Sequence, residues 1–484
     1  IQNVQGLAQV GYGVNIWETE LPTGVQGIRQ DVVGIVGAFP WGPPNVVTRV
    51  TSPQQFQSTF APAGLPINTA VLALYGKTFP GGCRIVRVEA SDAAAAGSGS
   101  ITAGSGTITI TAKYKGTAGN SLYYQLTAAS GGDSAKRDLK IWGSGTVLLE
   151  HHKDVAHGSV TALTSAYVTI TASTPSAMPT AGSATALASG SDGTIAAADY
   201  VGASGTNKGI RLFYANSAQA DVLFVAEPAT GLVADINTGL EAWAADTARG
   251  IAVLCTPTAQ SVSSAISYVA SYRSDRLVYP WPRITTTYLD GTSYTLMANS
   301  WVAAAILNVQ PEQSPGGAEG APYLTSITGV ETDTATRQDL DDMLEAGIAC
   351  LIVDENNGPM IRGAVTTSVT AGYLKVFRRR MTDYILRSIA RRAAAYSERP
   401  LDVYLTTRTL GPVTTGEIGD FNRFLGDLKS AGRIASFSVD PFSGNTQNDL
   451  DAGRFNVLIA VKLFGVQDEI VLKGQIGETV QISE

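Results

Sequence analysis

The chain has 484 residues, enough for about two to four domains and a sizeable buried core. Apolar residues make up 44%, charged residues only 15%, and the net charge is −7, so much of the surface is uncharged Ser, Thr, Ala and Gly that stacks against neighbours at little desolvation cost. The acidic balance argues against a nucleic-acid binder, which needs surplus Lys and Arg, and the longest apolar runs, 301–309 and 455–464, fall short of the roughly 20 residues of a membrane span.

From the N-terminus, GYGVNIWETE (11–20) alternates bulky and small residues as a half-buried strand does. The following LPTGVQGIRQ is turn-rich and contains Pro22, a poor start for a hairpin, so residues 1–25 read as an extended arm without a local partner. Residues 26–90 carry a strand (VVGIVGAFP), a short element around Gln54 to Phe60, a helix (NTAVLALYG) and a strand (CRIVRVEA), the N-terminal part of a core. From 91 to 204 the composition turns Ala/Gly/Ser/Thr-rich, with short alternating runs such as TITITA, SLYYQL and TVLLEHH, and residues 155–191 hold no Asp, Glu, Lys or Arg. That pattern predicts an inserted β-sandwich.

In 205–365 strands alternate with helical segments: DVLFVAEP and GLVADINTGLEAWAADT, IAVLCTP and a helix over 261–272, RLVYPW and a helix over LMANSWVAAAILNV. This is the pattern of a largely parallel sheet covered by helices. A Pro/Gly-rich loop, a helix (TATRQDLDDMLEAG), the strand IACLIVDE and a tight turn at Asn357-Gly358 follow. In 366–484, Phe377, Met381, Tyr384, Ile385 and Ile389 recur at helical spacing and predict a helix over 373–398. A second helix is expected over 417–430, and Phe455, Val457, Ile459, Val461 and Leu463 alternate as a strand before EIVLKGQI and TVQIS. The expected fold class is α/β with an inserted all-β domain: an α/β core with a largely parallel sheet, a β-sandwich insertion, and an α+β C-terminal domain, with extended arms at the ends.

Candidate chemistry is sparse. His151, His152 and His157 crowd into the insertion, the α/β region has no His, and no GxSxG elbow occurs, which disfavours a Ser hydrolase. HHKDVAH would seat a metal through two or three imidazoles or be a solvated turn. YGKT (75–78) is similar to the end of a phosphate-binding loop, but Val71 stands where that loop needs Gly. Beyond the carboxyl ends of the strands lie Glu227, Thr256, Asp354 and Glu355, and Glu227 with Asp354 is the candidate acid–base pair of a hydrolase. Cys83, Cys255 and Cys350 sit in apolar runs and read as small buried hydrophobes; with no signal-like segment, a soluble protein of a reducing cytoplasm is expected. The helix over 373–398 carries Lys375, Arg378, Arg379, Arg380, Arg387, Arg391 and Arg392 against one internal acid, Asp383. It is either a solvated face or a docking patch for an acidic partner.

The order of these parts resembles a known family. YGVNIWETE, VVGIVGAFPWGPPNVVTRVTSPQQFQSTF and GGCRIVRVEA resemble the opening of the contractile-tail sheath proteins of bacteriophages. AKYKGTAGNSLYYQL looks like that family's PGxxGN turn and next strand, with Lys115 where Pro is usual, and RLVYPWP, DLDDMLEAGIACLIV and GEIGDFNRFLGDLKSAGRIASFSV with FNVLIAVKLFGVQDEIVLKGQI are similar to its later domains. The resemblance spans nearly the whole chain and rests on order and spacing.

It implies a non-enzymatic structural subunit without cofactor or metal, stacked as hexameric rings around a tail tube and contracting to drive that tube through the host envelope for genome delivery. Arms would add strands to neighbouring subunits by β-augmentation. Tyr12, Val14, Ile16 and Trp17 would pair beside a neighbour's Phe455, Val457, Ile459, Val461, Leu463, Ile470 and Leu472, with Val480 and Ile482 in the last strand. The implied partners are further copies of the chain, the tail tube, baseplate and tail terminator proteins, with no nucleic acid and no direct membrane contact. The implied location is the virion tail, and the host cytoplasm during assembly. Tube docking would fall on Arg423 and Lys429, or on Arg378, Arg379 and Arg387. The sheath of a phage-derived bacteriocin or secretion machine follows the same logic. A hydrolase using Glu227 and Asp354, or an adhesive cell-surface β protein, would be functions of another class.

Overall fold

The computed structural model describes residues 25–98, 101–103, 106–173, 178–354, 358–370 and 374–465. They fall into two units, Arg29–Asp383 and residues 25–28 with 384–465.

In the larger unit the N-terminal segment supplies β1 (Val33–Gly37), β2 (Thr48–Val50) and β3 (Cys83–Arg87), with α1 (Pro53–Phe60) and α2 (Thr69–Leu74) between the last two. Ser52 and Asn68 start these helices: each side chain accepts a backbone N–H three residues on, and Pro53 occupies the first turn, where its missing N–H costs nothing. The insertion follows with β4 (Ile101–Ala103), β5 (Gly106–Ala112), β6 (Leu122–Ala128), β7 (Arg137–Gly143), β8 (Val147–Val155), β9 (Val168–Ala172) and β10 (Thr185–Ala186). The chain then returns through α3 (Ala197–Val201), β11 (Val222–Ala226), α4 (Val233–Thr247), β12 (Ile251–Val253), α5 (Val262–Val269) and β13 (Leu277–Trp281). Next come β14 (Ile284–Thr287), β15 (Ser293–Leu296), α6 (Asn299–Asn308), the short α7 (Gly317–Gly320), β16 (Ile327–Val330), α8 (Arg337–Glu345), β17 (Ile348–Asp354) and β18 (Gly358–Arg362).

Eight of these strands form one sheet in the order β18-β17-β13-β12-β11-β1-β3-β2, parallel except at the two edges, where β18 and β2 run antiparallel to their neighbours. Every residue of β1, β11 and β13 is buried, which is why they read as unbroken apolar runs and not as alternating ones. Val33, Ile35 and Phe224 pack towards α1, α2 and α6, while Val36, Leu223 and Val225 pack with residues of α4, α5 and α8. A capping box of Thr336 and Asp339 opens α8, and Gly347, at φ +82°, turns the chain out of it into β17.

The insertion is the expected two-sheet β domain. Sheets β4-β5-β9 and β10-β6-β7-β8 enclose a core of Ile108, Ile110, Leu122, Leu126, Leu139, Ile141, Val168 and Ile170. Arg87, at the end of β3, ties it to the sheet below: its guanidinium donates to the carbonyls of Phe39 (2.8 Å) and Lys115 (2.6 Å) and pairs with Glu89 at 3.0 Å.

The region after β13 departs from expectation. The sequence reading runs from RLVYPW to a helix, whereas the structure places the antiparallel sheet β15-β14-β16 around it and starts α6 only at Asn299. ITTT and SYTL pair across a tip at Asp290-Gly291, with Gly291 at φ +81°. An Asp-Gly pair between Thr-rich runs is a hairpin signal.

The smaller unit contains the second half, from Tyr384, of α9 (Val376–Ala393), then β19 (Val403–Tyr404), β20 (Thr409–Leu410), α10 (Pro412–Ser430), β21 (Ser436–Asp440), α11 (Gln447–Asp451) and β22 (Leu458–Lys462). Ile385, Ile389, Ile418, Phe421, Phe424, Leu425, Leu428 and Ile434 are buried in it. The helix predicted over 373–398 spans Val376–Ala393, because the chain breaks into turns after Ala393. The helix predicted over 417–430 begins earlier, at Pro412, where Asp402 accepts the N–H groups of Val413 (3.1 Å) and Thr414 (3.0 Å).

Candidate functional site

The feature with most potential for assembly is the ribbon of β21 and β22. The two strands pair antiparallel from Ser436 opposite Lys462 to Asp440 opposite Leu458. Among the described residues neither has a second neighbour. Phe437, Val439, Ile459 and Val461 are half-buried on one face, and Ser436, Ser438, Leu458, Ala460 and Lys462 are exposed on the other. Leu458 and Phe464 remain 52% and 53% exposed. A two-stranded ribbon is marginal in water, and its open edges offer a ladder of unpaired N–H and C=O groups. At one end Asp440 accepts the N–H groups of Phe442 (2.8 Å) and Ser443 (3.1 Å); at the same end Asn445 exchanges hydrogen bonds of 2.7 Å with the backbone of Asn456.

Of the residues expected to exchange strands, Ile459 and Val461 lie in β22, while Phe455, Val457 and Leu463 are half-buried just outside it. Tyr12, Val14, Ile16, Trp17, Ile470, Leu472, Val480 and Ile482 lie outside the described residues.

The cations expected to dock a tube divide by environment. Arg423 and Lys429 are exposed on α10. Arg378 and Arg387 are half-buried on α9. Arg379 is turned inward, bound to Asp275 (3.0 Å) and Asp383, and Asp383 also takes a bidentate contact from Arg276 at 2.7 and 2.9 Å. Arg380 is buried against the carbonyls of Val309 and Gln310, and burial pushes it down to about 10. Arg392 meets Asp420 at 2.7 Å, where Tyr396 also donates at 2.8 Å. The chain therefore folds remote acids onto a helix that looks uniformly basic in sequence.

The strand-end acids form no pair. Glu227 follows β11 and Asp354 ends β17, with β12 and β13 between them, so three interstrand steps of about 4.8 Å separate them. Glu227 is instead locked to Arg283 at 3.1 Å and accepts the N–H of Met297; burial pushes its carboxyl up against the pull of that guanidinium. Arg283 also donates to the Thr295 carbonyl at 3.0 Å. Thr256 donates to the Pro280 carbonyl, and Glu355 lies outside the described residues.

Comparison with known proteins gives this architecture a context. Residues 194–367 match the family model for the phage tail sheath protein central domain. That segment is similar to a tail sheath central domain. Among curated proteins none matches the chain in sequence. Solved structures carry the likeness across the rest of the fold. The sheath tail protein of Desulfitobacterium hafniense is 14% identical, with a TM-score of 0.66 over 93% of this chain and 100% of that one. The sheath tail protein Lin1278 of Listeria innocua is 16% identical, with a TM-score of 0.59 over 91% and 96%. The helical sheath of the anti-feeding prophage, in its contracted state, is 13% identical, with a TM-score of 0.57 over 97% and 99%.

Within the matched segment Cys255 and Cys350 are fully buried, and burial pushes the Cys350 thiol up to about 12. Lys77 of the YGKT stretch is buried against the Trp301 ring and cradles no phosphate-type loop. In the insertion His151 and His152 pair with Asp138 (2.8 Å) and Glu150 (3.1 Å), and among the described residues no group of three or more His, Cys, Asp and Glu side chains is placed to hold a metal. Also among the described residues, no helix is long and apolar enough to cross a membrane.

Proposed function

We propose that the chain is the subunit of a contractile sheath, assembling with copies of itself as stacked hexameric rings around a tail tube and contracting to drive that tube through a host envelope. The observation that carries this reading is the β21–β22 ribbon, without a second neighbour among the described residues, within a chain of which 93% follows the fold of a solved sheath tail protein. A strand from the N-terminal arm of a neighbouring copy, around Tyr12 to Trp17, completes it by β-augmentation. Baseplate and terminator proteins would close the two ends of the polymer. In a phage the cargo would be the genome; the likeness to the anti-feeding prophage sheath suits an injection machine equally.

Contraction needs no nucleotide if the extended polymer is metastable. A gain of about 400 Å² of apolar contact per subunit, at about 25 cal/mol per Å², releases about 10 kcal/mol before entropic offsets. The tube contact has to break during this change, which suits exposed, solvent-screened cations such as Arg423 and Lys429. Negative-stain electron microscopy of the purified protein tests the proposal: striated hollow cylinders are expected. Removal of residues 1–20 is expected to leave a folded subunit that forms none. Normal cylinders from the shortened chain would refute the strand assignment, and a concentrated, discrete monomer from the intact chain would refute the sheath reading.

A further inference from the structure

A pocket of about 440 Å³ opens between α1, α2 and the β2–β3 edge of the large sheet, within the roughly 300–1,000 Å³ of small-molecule sites. Ile35, Val50, Phe56, Val71, Leu74 and Ile85 make its wall predominantly apolar. At its rim Ile67 and Tyr75 are 40% and 38% exposed, and Tyr75 meets Tyr288 edge to face at 5.2 Å. These rings and the half-open mouth keep apolar surface in contact with water, a cost that a ligand would relieve.

Lys77 is part of the same wall and is only 9% exposed. Its Nζ donates to the Ser326 hydroxyl at 2.8 Å and lies 3.9 Å from the centre of the Trp301 ring. The same hydroxyl accepts the Trp301 Nε1–H at 2.8 Å, so it already takes two donors. Among the described residues no carboxylate forms an ion pair with Lys77; of the other buried cations of this unit Arg87 and Arg283 each have one, and Arg380 is held by two backbone carbonyls. An ammonium withdrawn from water without a counter-charge is unstable as a charged group, and burial pushes Lys77 down to about 7.

We propose that this pocket is a binding site for an amphiphile with an apolar chain or ring and a single carboxylate, the carboxylate pairing with Lys77 and the apolar part filling the space between α1 and α2. One cation in a wall with no other charged side chain matches one negative charge, whereas a phosphate dianion would leave a charge buried without a partner.

Isothermal titration of the full-length protein with decanoate, and with decanol as the uncharged control, tests this. Decanoate is expected to bind at least 10-fold more tightly than decanol. Lys77→Met is expected to abolish that preference, with decanol affinity retained. Gln57→Trp, on the exposed face of α1 that borders the pocket, keeps Lys77 and fills the mouth. It is expected to weaken both ligands at least 10-fold, and it keeps the test open should the Lys77 variant fail to fold. Equal affinity of the wild-type protein for the two ligands, unchanged decanoate binding in a folded Lys77→Met protein, undiminished binding in Gln57→Trp, or no decanoate binding up to millimolar concentration would each overturn the proposal.

Discussion

Lys77→Met separates the cost of a buried charge from the value of its contacts. Burial lowers the Lys77 ammonium from 10.5 to about 7, against the pull of the Trp301 face 3.9 Å away, which favours the charged form. A lysine whose folded value lies below its unfolded value destabilises the fold most fully at low pH, where both states are charged. The penalty is relieved as pH rises between the folded and unfolded values, because there the unfolded chain binds more protons. With the window opening at about 7, the wild type gains about 2 kcal/mol from this residue between pH 7 and 9. Met fills the same space and carries no titration, so the variant is expected to be the more stable at pH 7, with its advantage shrinking by that amount at pH 9. Urea unfolding at pH 7, 8 and 9, followed by tryptophan fluorescence, measures it, since other groups titrating in this range cancel between the two proteins. Parallel pH profiles would refute the reasoning, and so would a variant that is less stable at pH 7.

The Glu227–Arg283 lock is expected to behave as a buried pair. Glu227→Ala strands a guanidinium whose side chain is only 8% exposed and is expected to cost about 3–5 kcal/mol in urea unfolding, whereas Glu227→Leu with Arg283→Met together is expected to cost far less. For Arg392 and Asp420, a double-mutant cycle with Arg392→Met and Asp420→Asn is expected to return a coupling of about 1–3 kcal/mol; a value near zero would show that the two side chains act separately. Asp402→Ala removes the acceptor from the first turn of α10 and is expected to cost about 1 kcal/mol near neutrality. The Thr414 hydroxyl and the backbone N–H groups of Thr414 and Val413 hold the Asp402 carboxyl below its usual range, so this difference is present above the unfolded value of about 3.9 and is lost as pH falls through the lower folded one.

The sequence is most legible where burial is symmetric or composition is extreme. VGIVG and VLFVA announce strands covered on both faces, and they pair as β1 and β11. The charge-free run 155–191 marks an insertion with its own core. The alternation at 455–463 shows a strand with one face covered, although only Leu458–Lys462 keep ladder geometry. What the sequence hides is set by distance along the chain. Asp275 lies 104 residues before Arg379, so counting acids within the helix overstates its free positive charge. Ser326 lies 249 residues from Lys77, so nothing local in the sequence announces the contact that holds this lysine. The β14–β15 hairpin does have one, Asp290-Gly291, but the apolar helix after it is the louder signal.

These particulars explain why a sheet of this topology need not hold chemistry. In open α/β sheets ligands lie beyond the carboxyl ends of the parallel strands, where loops diverge and leave a crevice. Here that end of β11, β12 and β13 is occupied by the chain itself: Arg283, just before β14, reaches Glu227 after β11, the Thr256 carbonyl after β12 and the Thr295 carbonyl in β15. A guanidinium that spans three segments where a substrate would sit holds the hairpin down and leaves the acid committed. An acid–base pair of Glu227 and Asp354 would need that lock released and the width of two strands closed, neither of which a rigid, doubly covered sheet permits. On the proposed sheath reading, a subunit that joins copies of itself gains from having this strand-end crevice sealed and its ribbon left open.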